Sequence, residues 1–280
     1  MILSRLTPDQ NGGSMEKKVL SVENLWISIR KDKPVVQDIS FAICQGTVLG
    51  IVGESGSGKT MLCKAILGLL HHQSSVAITG RVLVNGKDIL KISARELQSM
   101  RGNELGVIMQ NPMTAFNPLI KIGGHIIETL MAHRTISKQE AYATGIAMLK
   151  KMNLPRPEEI MNSYSFSLSG GMLQRIMAAI AMASSPAVLI ADEPTTALDV
   201  KNQALLLDEI EKIKNEEKPG IVLVSHDLAV IARIADEVAV MKAGKIVEQG
   251  QIYQVFEEPV HSYTKELLSA RLMGGRRGRC

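Results

Sequence analysis

The sequence predicts an α/β fold: a sheet with parallel strands at its centre and a helical lobe inserted into it. Two observations predict this. Short apolar runs at Val48–Val52, Leu105–Met109, Ala187–Ile190 and Ile221–Val224 read as buried strands and alternate with stretches of helical periodicity, the pattern of crossover-connected parallel strands. The stretch from about Asn111 to Ser167 is helical in its spacing and holds no convincing strand.

The elements can be taken in order. Leu20–Ile29 and Asp38–Ile43 alternate like half-buried strands, with a turn expected around Lys33-Pro34. A helix is expected from Lys59, because Leu62, Ala65, Ile66 and Leu69 fall at i, i+3, i+4 and i+7 and share one buried face. Arg81–Val84 is a further short strand. Ser137 and Glu140 have the spacing of a capping box, and Tyr142, Ile146, Leu149 and Met152 continue one stripe until Pro155 stops the helix. Val238–Met241 and Lys245–Glu248 bracket Lys242-Ala243-Gly244, a loop of hairpin length. Residues 1–18 are expected to be a flexible leader, with Met15 as an alternative start. The body is expected at 19–270 and a basic flexible tail at 271–280.

Composition excludes several classes. The chain has 280 residues, 45% of them hydrophobic and 21% charged, enough apolar material for a sizeable core and too little charge for disorder. The formal charge of +4 is matched by four arginines in the last ten residues, Arg271, Arg276, Arg277 and Arg279, so the body is near neutrality. The nine Phe, Trp and Tyr residues form no alternation with basic ones, which argues against a nucleic-acid platform. Cys44, Cys63 and Cys280 are scattered and odd in number, a pattern that suits a reducing compartment. The longest apolar stretch, Ile176–Ala191, is broken by Ser184-Ser185-Pro186 and falls short of a membrane span. No signal-peptide pattern opens the chain. A soluble protein is expected, with any membrane role exerted through a partner. His71-His72 reads as a solvated pair.

The chemistry is concentrated in one loop. Gly53-Glu54-Ser55-Gly56-Ser57-Gly58-Lys59-Thr60 matches G-x-x-x-x-G-K-[ST], preceded by an apolar strand and followed by an amphipathic helix. Its glycines let successive N–H groups turn toward anionic oxygens. Lys59 has the reach for β- and γ-phosphates, the Thr60 hydroxyl can ligate Mg²⁺, and the helix points its positive end at the phosphates. Val188–Ala191 is an apolar strand ending in Asp192-Glu193. Beside a phosphate loop, Asp192 is expected to fix Mg²⁺ and Glu193 to orient or deprotonate the attacking water. Ser169-Gly170-Gly171 opens a helix and offers bare amides to an anion.

Gly53–Thr60, Gln110, Leu168–Arg175, Asp192-Glu193, Thr196-Ala197-Leu198-Asp199 and Ser225-His226-Asp227 resemble, in order, the motifs of the ABC ATPases, over roughly Leu20–Leu268. The resemblance implies a P-loop NTPase fold with an N-terminal antiparallel β subdomain and a helical subdomain at about 111–167. It implies ATP and Mg²⁺ as cofactors, Gln110 as a sensor of Mg²⁺ and water, and His226 as a γ-phosphate contact. It also implies that Asp199 communicates across a dimer and that Ser169–Gly171 act on the ATP of the opposite subunit. Two departures stand out. Ile29 occupies the place where relatives stack an aromatic residue on adenine, with Trp26 out of phase. Met61 replaces a second hydroxyl after Thr60.

Gln110–Pro118 and Glu258–Thr264 resemble the peptide and nickel importer branch, and Met172–Arg175 resembles its nickel and metallophore subunits. The resemblance implies uptake of nickel or a metal chelate, with di- or oligopeptides as the alternative and a soluble non-transport ATPase as the reading from another class. The implied partners are two membrane-spanning permeases, a second, paralogous ATP-binding chain (a homodimer being the other arrangement), and an extracytoplasmic solute-binding protein. Nucleic acid is not among them. The implied location is the cytoplasmic face of the inner membrane.

Overall fold

The computed structural model describes residues 17–30, 33–70, 73–196 and 198–274. Of the expectations above, those on His71-His72, on Ala197, on residues 1–16 and on residues 275–280 lie outside the described residues.

Two sheets carry the fold. The first is antiparallel, in the order β2 (Lys33–Cys44), β1 (Lys18–Ile29), β4 (Val76–Val84), β5 (Lys87–Asp88). The second has six strands in the order β10 (Lys245–Gln251), β9 (Glu237–Lys242), β3 (Val48–Val52), β8 (Gly220–Val224), β7 (Val188–Asp192), β6 (Leu105–Ile108). Only the β9–β10 hairpin is antiparallel there; every other pair is parallel. All five residues of β3 and of β8 are buried. That is why they read as unbroken apolar runs: helices or a second sheet cover both faces of a parallel sheet.

Helices connect the strands. They are α1 (Lys59–Ile66), α2 (Ala94–Met100), α3 (Ile122–His133), α4 (Lys138–Lys151), α5 (Pro157–Asn162), α6 (Gly170–Ala181), α7 (Val200–Glu216), α8 (Leu228–Ile234), α9 (Ile252–Glu257) and α10 (Ser262–Gly274). Helices α3, α4 and α5 pack on one another through Ile122, Ile126, Leu130, Leu149, Ile160 and Met161. The capping box of α4 is formed: the Glu140 N–H donates to the Ser137 hydroxyl at 3.2 Å, and the Ser137 N–H donates to the Glu140 carboxylate at 2.8 Å.

Five local expectations are corrected. Lys33-Pro34 is not a turn; both residues pair with β1 at the start of β2, an edge strand, where a missing N–H costs no ladder bond. Helix α1 stops at Ile66 because Gly68 turns left-handed (φ +64°), so Leu69 is 46% exposed and Leu67 and Leu70 are buried instead. The buried face of α4 runs through Ala141, Gly145 and Leu149, and Tyr142 sits at its exposed rim. Lys18 already belongs to β1, and α10 continues to Gly274. Both expected flexible ends therefore start or finish inside regular structure. Among the described residues no helix is long and apolar enough to cross a membrane.

Candidate active site

Strands β3, β6, β7 and β8 are parallel, so their carboxyl ends meet along one edge of the sheet, the usual position of a ligand crevice in such folds. The loop after β3 is Gly53–Gly58. Gln110 follows β6, Asp192 ends β7 with Glu193 beside it, and Ser225-His226 follow β8. Residues far apart in sequence are brought together by strand direction alone.

Within the phosphate loop, Gly53 has φ +155°, and a Cβ there would lie 2.2 Å from the Met241 carbonyl oxygen. No side chain fits. Gly58 caps α1 in the left-handed region, at φ +105°, leaving the first amides of α1 pointing into the loop. The Lys59 ammonium folds over the loop, donating to the carbonyls of Gly53 (2.7 Å) and Glu54 (2.9 Å) and to the Ser57 hydroxyl (3.4 Å). Burial pushes the Lys59 ammonium below the ordinary lysine range, while the charges of Glu193 and Asp192 oppose that shift. Ser55 and Gly56 form the exposed tip of the loop.

The two carboxylates have different surroundings. Burial raises the Asp192 carboxyl above the usual carboxylate range, and the Glu193 charge adds to this. Lys59, Lys64 and a hydrogen bond with the Thr60 side chain pull the other way. Asp192 Oδ1 is buried and without a hydrogen-bond partner. An orphaned hard oxygen beside the Thr60 hydroxyl fits a magnesium site, which takes one or two protein oxygens and completes its shell with phosphate and water. Glu193 has the left-handed backbone φ of +48°. Its Oε2 accepts from the Thr196 hydroxyl at 2.9 Å and the Gln110 amide at 3.1 Å, and His226 Nδ1 lies 3.2 Å away. With the carboxylate ionised, Nδ1 carries the proton and donates. A carboxylate aimed by three donors at the mouth of a phosphate loop is equipped to orient a nucleophilic water.

The structure does not draw Ser169–Gly171 or Asp199 into this cluster. The Ser169 hydroxyl caps α6 by accepting from the Met172 N–H at 3.3 Å, and Asp199 caps α7 by accepting from both nitrogens of Asn202 at 2.8 and 2.9 Å. The first turns of α6 and α7 meet each other instead: a Cβ on Gly171 would lie 2.6 Å from Asn202 Cγ. Ile29 ends β1, and the regular β1–β4 register puts Trp26 on the opposite face of the strand. Met61, on α1, packs against the core.

Beside Gln110 lies an apolar cleft of about 280 Å³, lined by Leu69, Met109, Phe116, His125, Met177 and Ile180 among others. The Gln174 amide donates to the Met109 carbonyl at 3.0 Å, tying α6 to the residue before Gln110. Sequence reasoning placed Thr196 and Tyr263 in motifs but gave neither a role in the site. Thr196 carries a local signal, since its N–H turns back on the Glu193 carbonyl at 3.3 Å. Tyr263, whose phenol oxygen accepts from the Glu54 N–H at 3.1 Å, carries none at a separation of 209 residues.

A parallel sheet that presents a phosphate loop, an acid pair and a histidine at one edge defines a P-loop ATPase. A family profile described as ABC transporter matches residues 36–196. The oligopeptide transport ATP-binding protein OppD of Lactococcus lactis subsp. cremoris (strain SK11) is 41% identical over 255 residues, 90% of this chain and 75% of that protein. The metal-staphylopine import system ATP-binding protein CntD of Staphylococcus aureus (strain NCTC 8325 / PS 47) is 41% identical over 254 residues, 91% of this chain and 92% of that protein. The structure of the dimeric ATP-binding cassette MJ0796 in a post-hydrolysis state with ADP and Pi superimposes with a TM-score of 0.74. It covers 83% of this chain and 98% of that one at 23% identity, a likeness of fold. The chain belongs to the ABC transporter family, as an ATP-hydrolysing subunit of its peptide and nickel importer group.

Proposed function

We propose that this chain drives import of nickel or a metal chelate by hydrolysing ATP with Glu193 as the base that orients and deprotonates water. The observation that carries the reading is the convergence of Gln110, Thr196 and His226 on Glu193 Oε2. In the proposed reaction the β- and γ-phosphates lie among the amides of residues 55–60, the Glu54 N–H being taken by Tyr263. Lys59 exchanges its loop carbonyls for phosphate oxygens. Thr60, Asp192 and Gln110 would hold Mg²⁺, which would neutralise charge on the phosphates. Glu193 takes the proton from water as the water oxygen attacks the γ-phosphorus and the bond to the β-bridging oxygen breaks. His226 keeps the base aimed through its Nδ1 proton, and with both ring nitrogens protonated its Nε2 would donate to a γ-phosphoryl oxygen.

Ser169 and Asp199 bond within the starts of their own helices and not to the groups around Glu193. The reading gives them to the ATP of a second chain, either a paralogous ATP-binding subunit or another copy. The helical segment at 111–167 is read as a subdomain that moves with the Gln110 loop. The apolar cleft next to Met109 suits an apolar segment of a permease, because Met109 faces the cleft while Gln110 touches the base. Two such permeases, fed by an extracytoplasmic solute-binding protein, would hold the chain at the cytoplasmic face of the membrane.

Met172–Arg175 and the CntD relative favour a metal or metallophore cargo. Identity to OppD is as high and favours peptides as the second reading. Glu193→Gln tests the mechanism: hydrolysis falls at least ~100-fold while ATP binding is retained. Undiminished turnover would remove Glu193 from the role of base. Uptake in a strain lacking the gene tests the cargo, and normal nickel accumulation with lost dipeptide uptake would replace the first reading by the second.

A further inference from the structure

The segment Glu258–Thr264 has no part in the reaction described above, yet it touches the phosphate loop. Glu248 on β10 holds the segment, its Oε1 accepting from the Val260 N–H at 2.7 Å and its Oε2 from the His261 N–H at 3.0 Å. His261 Nδ1 then accepts from the Tyr263 N–H at 3.1 Å, fixing the first turn of α10. Tyr263 is 2% exposed. The Lys242 ammonium sits 4.3 Å from the centre of its ring, a cation–π contact that limits rocking of the ring. Burial keeps the phenol above its ordinary range, so the hydroxyl is neutral where it meets the loop.

That hydroxyl accepts the N–H of Glu54, and the carbonyl of Glu54 holds the Lys59 ammonium at 2.9 Å. One residue thus lies between Tyr263 and the lysine that binds phosphate. The opposite side of the loop is braced by the β9–β10 hairpin, where the Gly244 N–H donates to the Ser57 carbonyl at 3.0 Å. The loop is pinned at both ends by elements from the last forty or so residues of the chain.

We propose that Tyr263 is a positioning residue for the phosphate loop: through the Glu54 peptide, the C-terminal segment sets the resting place of Lys59 and with it the affinity for ATP. The proposal rests on reading Gly53–Thr60 as the ATP phosphate loop. Tyr263→Phe keeps the ring, its burial and the lysine contact, and removes only the acceptor oxygen. Tyr263→Leu removes the ring as well.

The test measures steady-state hydrolysis of Mg·ATP and thermal melting on the full chain. In Tyr263→Phe the KM for ATP is expected to rise about fivefold, the effect of one net hydrogen bond, with kcat within about twofold and the melting temperature near wild type. Tyr263→Leu is expected to add a fall in melting temperature. A wild-type KM in Tyr263→Phe, with loss confined to Tyr263→Leu, assigns Tyr263 to packing and overturns the proposal. A wild-type chain with neither binding nor hydrolysis of Mg·ATP overturns the phosphate-loop reading and this proposal together.

Discussion

Glu193 and Asp192 are neighbours with opposite requirements. Glu193 sits in a left-handed backbone conformation, which costs a non-glycine residue about 1 kcal/mol and recurs at functional sites. Its carboxylate is compensated by three donors. Asp192 is half-buried beside it, and its carboxyl is held above the usual range by burial and by the Glu193 charge. Folding therefore favours the neutral Asp192. Its contribution to stability is full below the unfolded carboxylate value of about 4 and is lost as pH rises through the raised folded value. Asp192→Asn should raise the melting temperature of the nucleotide-free protein at neutral pH, by about 2–4 °C, while abolishing Mg²⁺-dependent hydrolysis. Melting curves across pH check this, and a lower melting temperature in the variant would contradict it. His226→Ala should cut kcat by about 100-fold with little change in ATP affinity; a loss that appears only in KM would move His226 from catalysis to binding.

The elements show which local rules carry energy and which carry function. The capping box at the start of α4 lies away from the site, so Ser137→Ala should cost about 1 kcal/mol of stability and leave ATP affinity unchanged. Differential melting with and without ATP separates the two effects. Gly53 is the reverse case. It lies against the Met241 backbone, and backbone cannot rotate away as a side chain can. Gly53→Ala should displace the loop from β9 and abolish ATP binding, to be read by titration calorimetry. Retained affinity would show that the loop accommodates a Cβ that the close approach forbids.

Across the whole molecule, parallel strand direction does the assembling. Strands β3, β6, β7 and β8 each release their next residue at the same edge, so four sequence segments become one site. Ser169 and Asp199 cap their own helices, and Gly171 lies against Asn202, so these residues stay out of the Glu193 cluster. If the ATP site is completed by another chain, Glu193→Gln with ATP should accumulate a closed dimer, alone or once the paralogous chain is added. Native mass spectrometry reads this directly. A monomer under both conditions would leave Ser169–Gly171 without the role proposed for them.

Much of this was legible along the chain. The phosphate loop, Asp192-Glu193, Gln110 and His226 lie at strand ends, and the strands announce themselves as short apolar runs because burial on both faces removes the need for alternation. The α4 cap was equally plain, since both partners lie three residues apart. Of the residues expected on the buried faces of α1 and α4, only Leu69 and Tyr142 are exposed, for a physical reason. Periodicity gives the spacing of a stripe, but where a helix stops, and which of two adjacent stripes meets the core, depends on the surface it packs against. Pro34 misled in the same way: its tolerance in a strand depends on β2 being an edge. The fold class, the phosphate loop and the acid that follows β7 can be read along the chain, because each is written in contiguous residues. That Thr196 and His226 share one carboxylate oxygen, and that Tyr263 reaches back to Glu54, appears in the fold alone, because such contacts arise from where the chain returns in space.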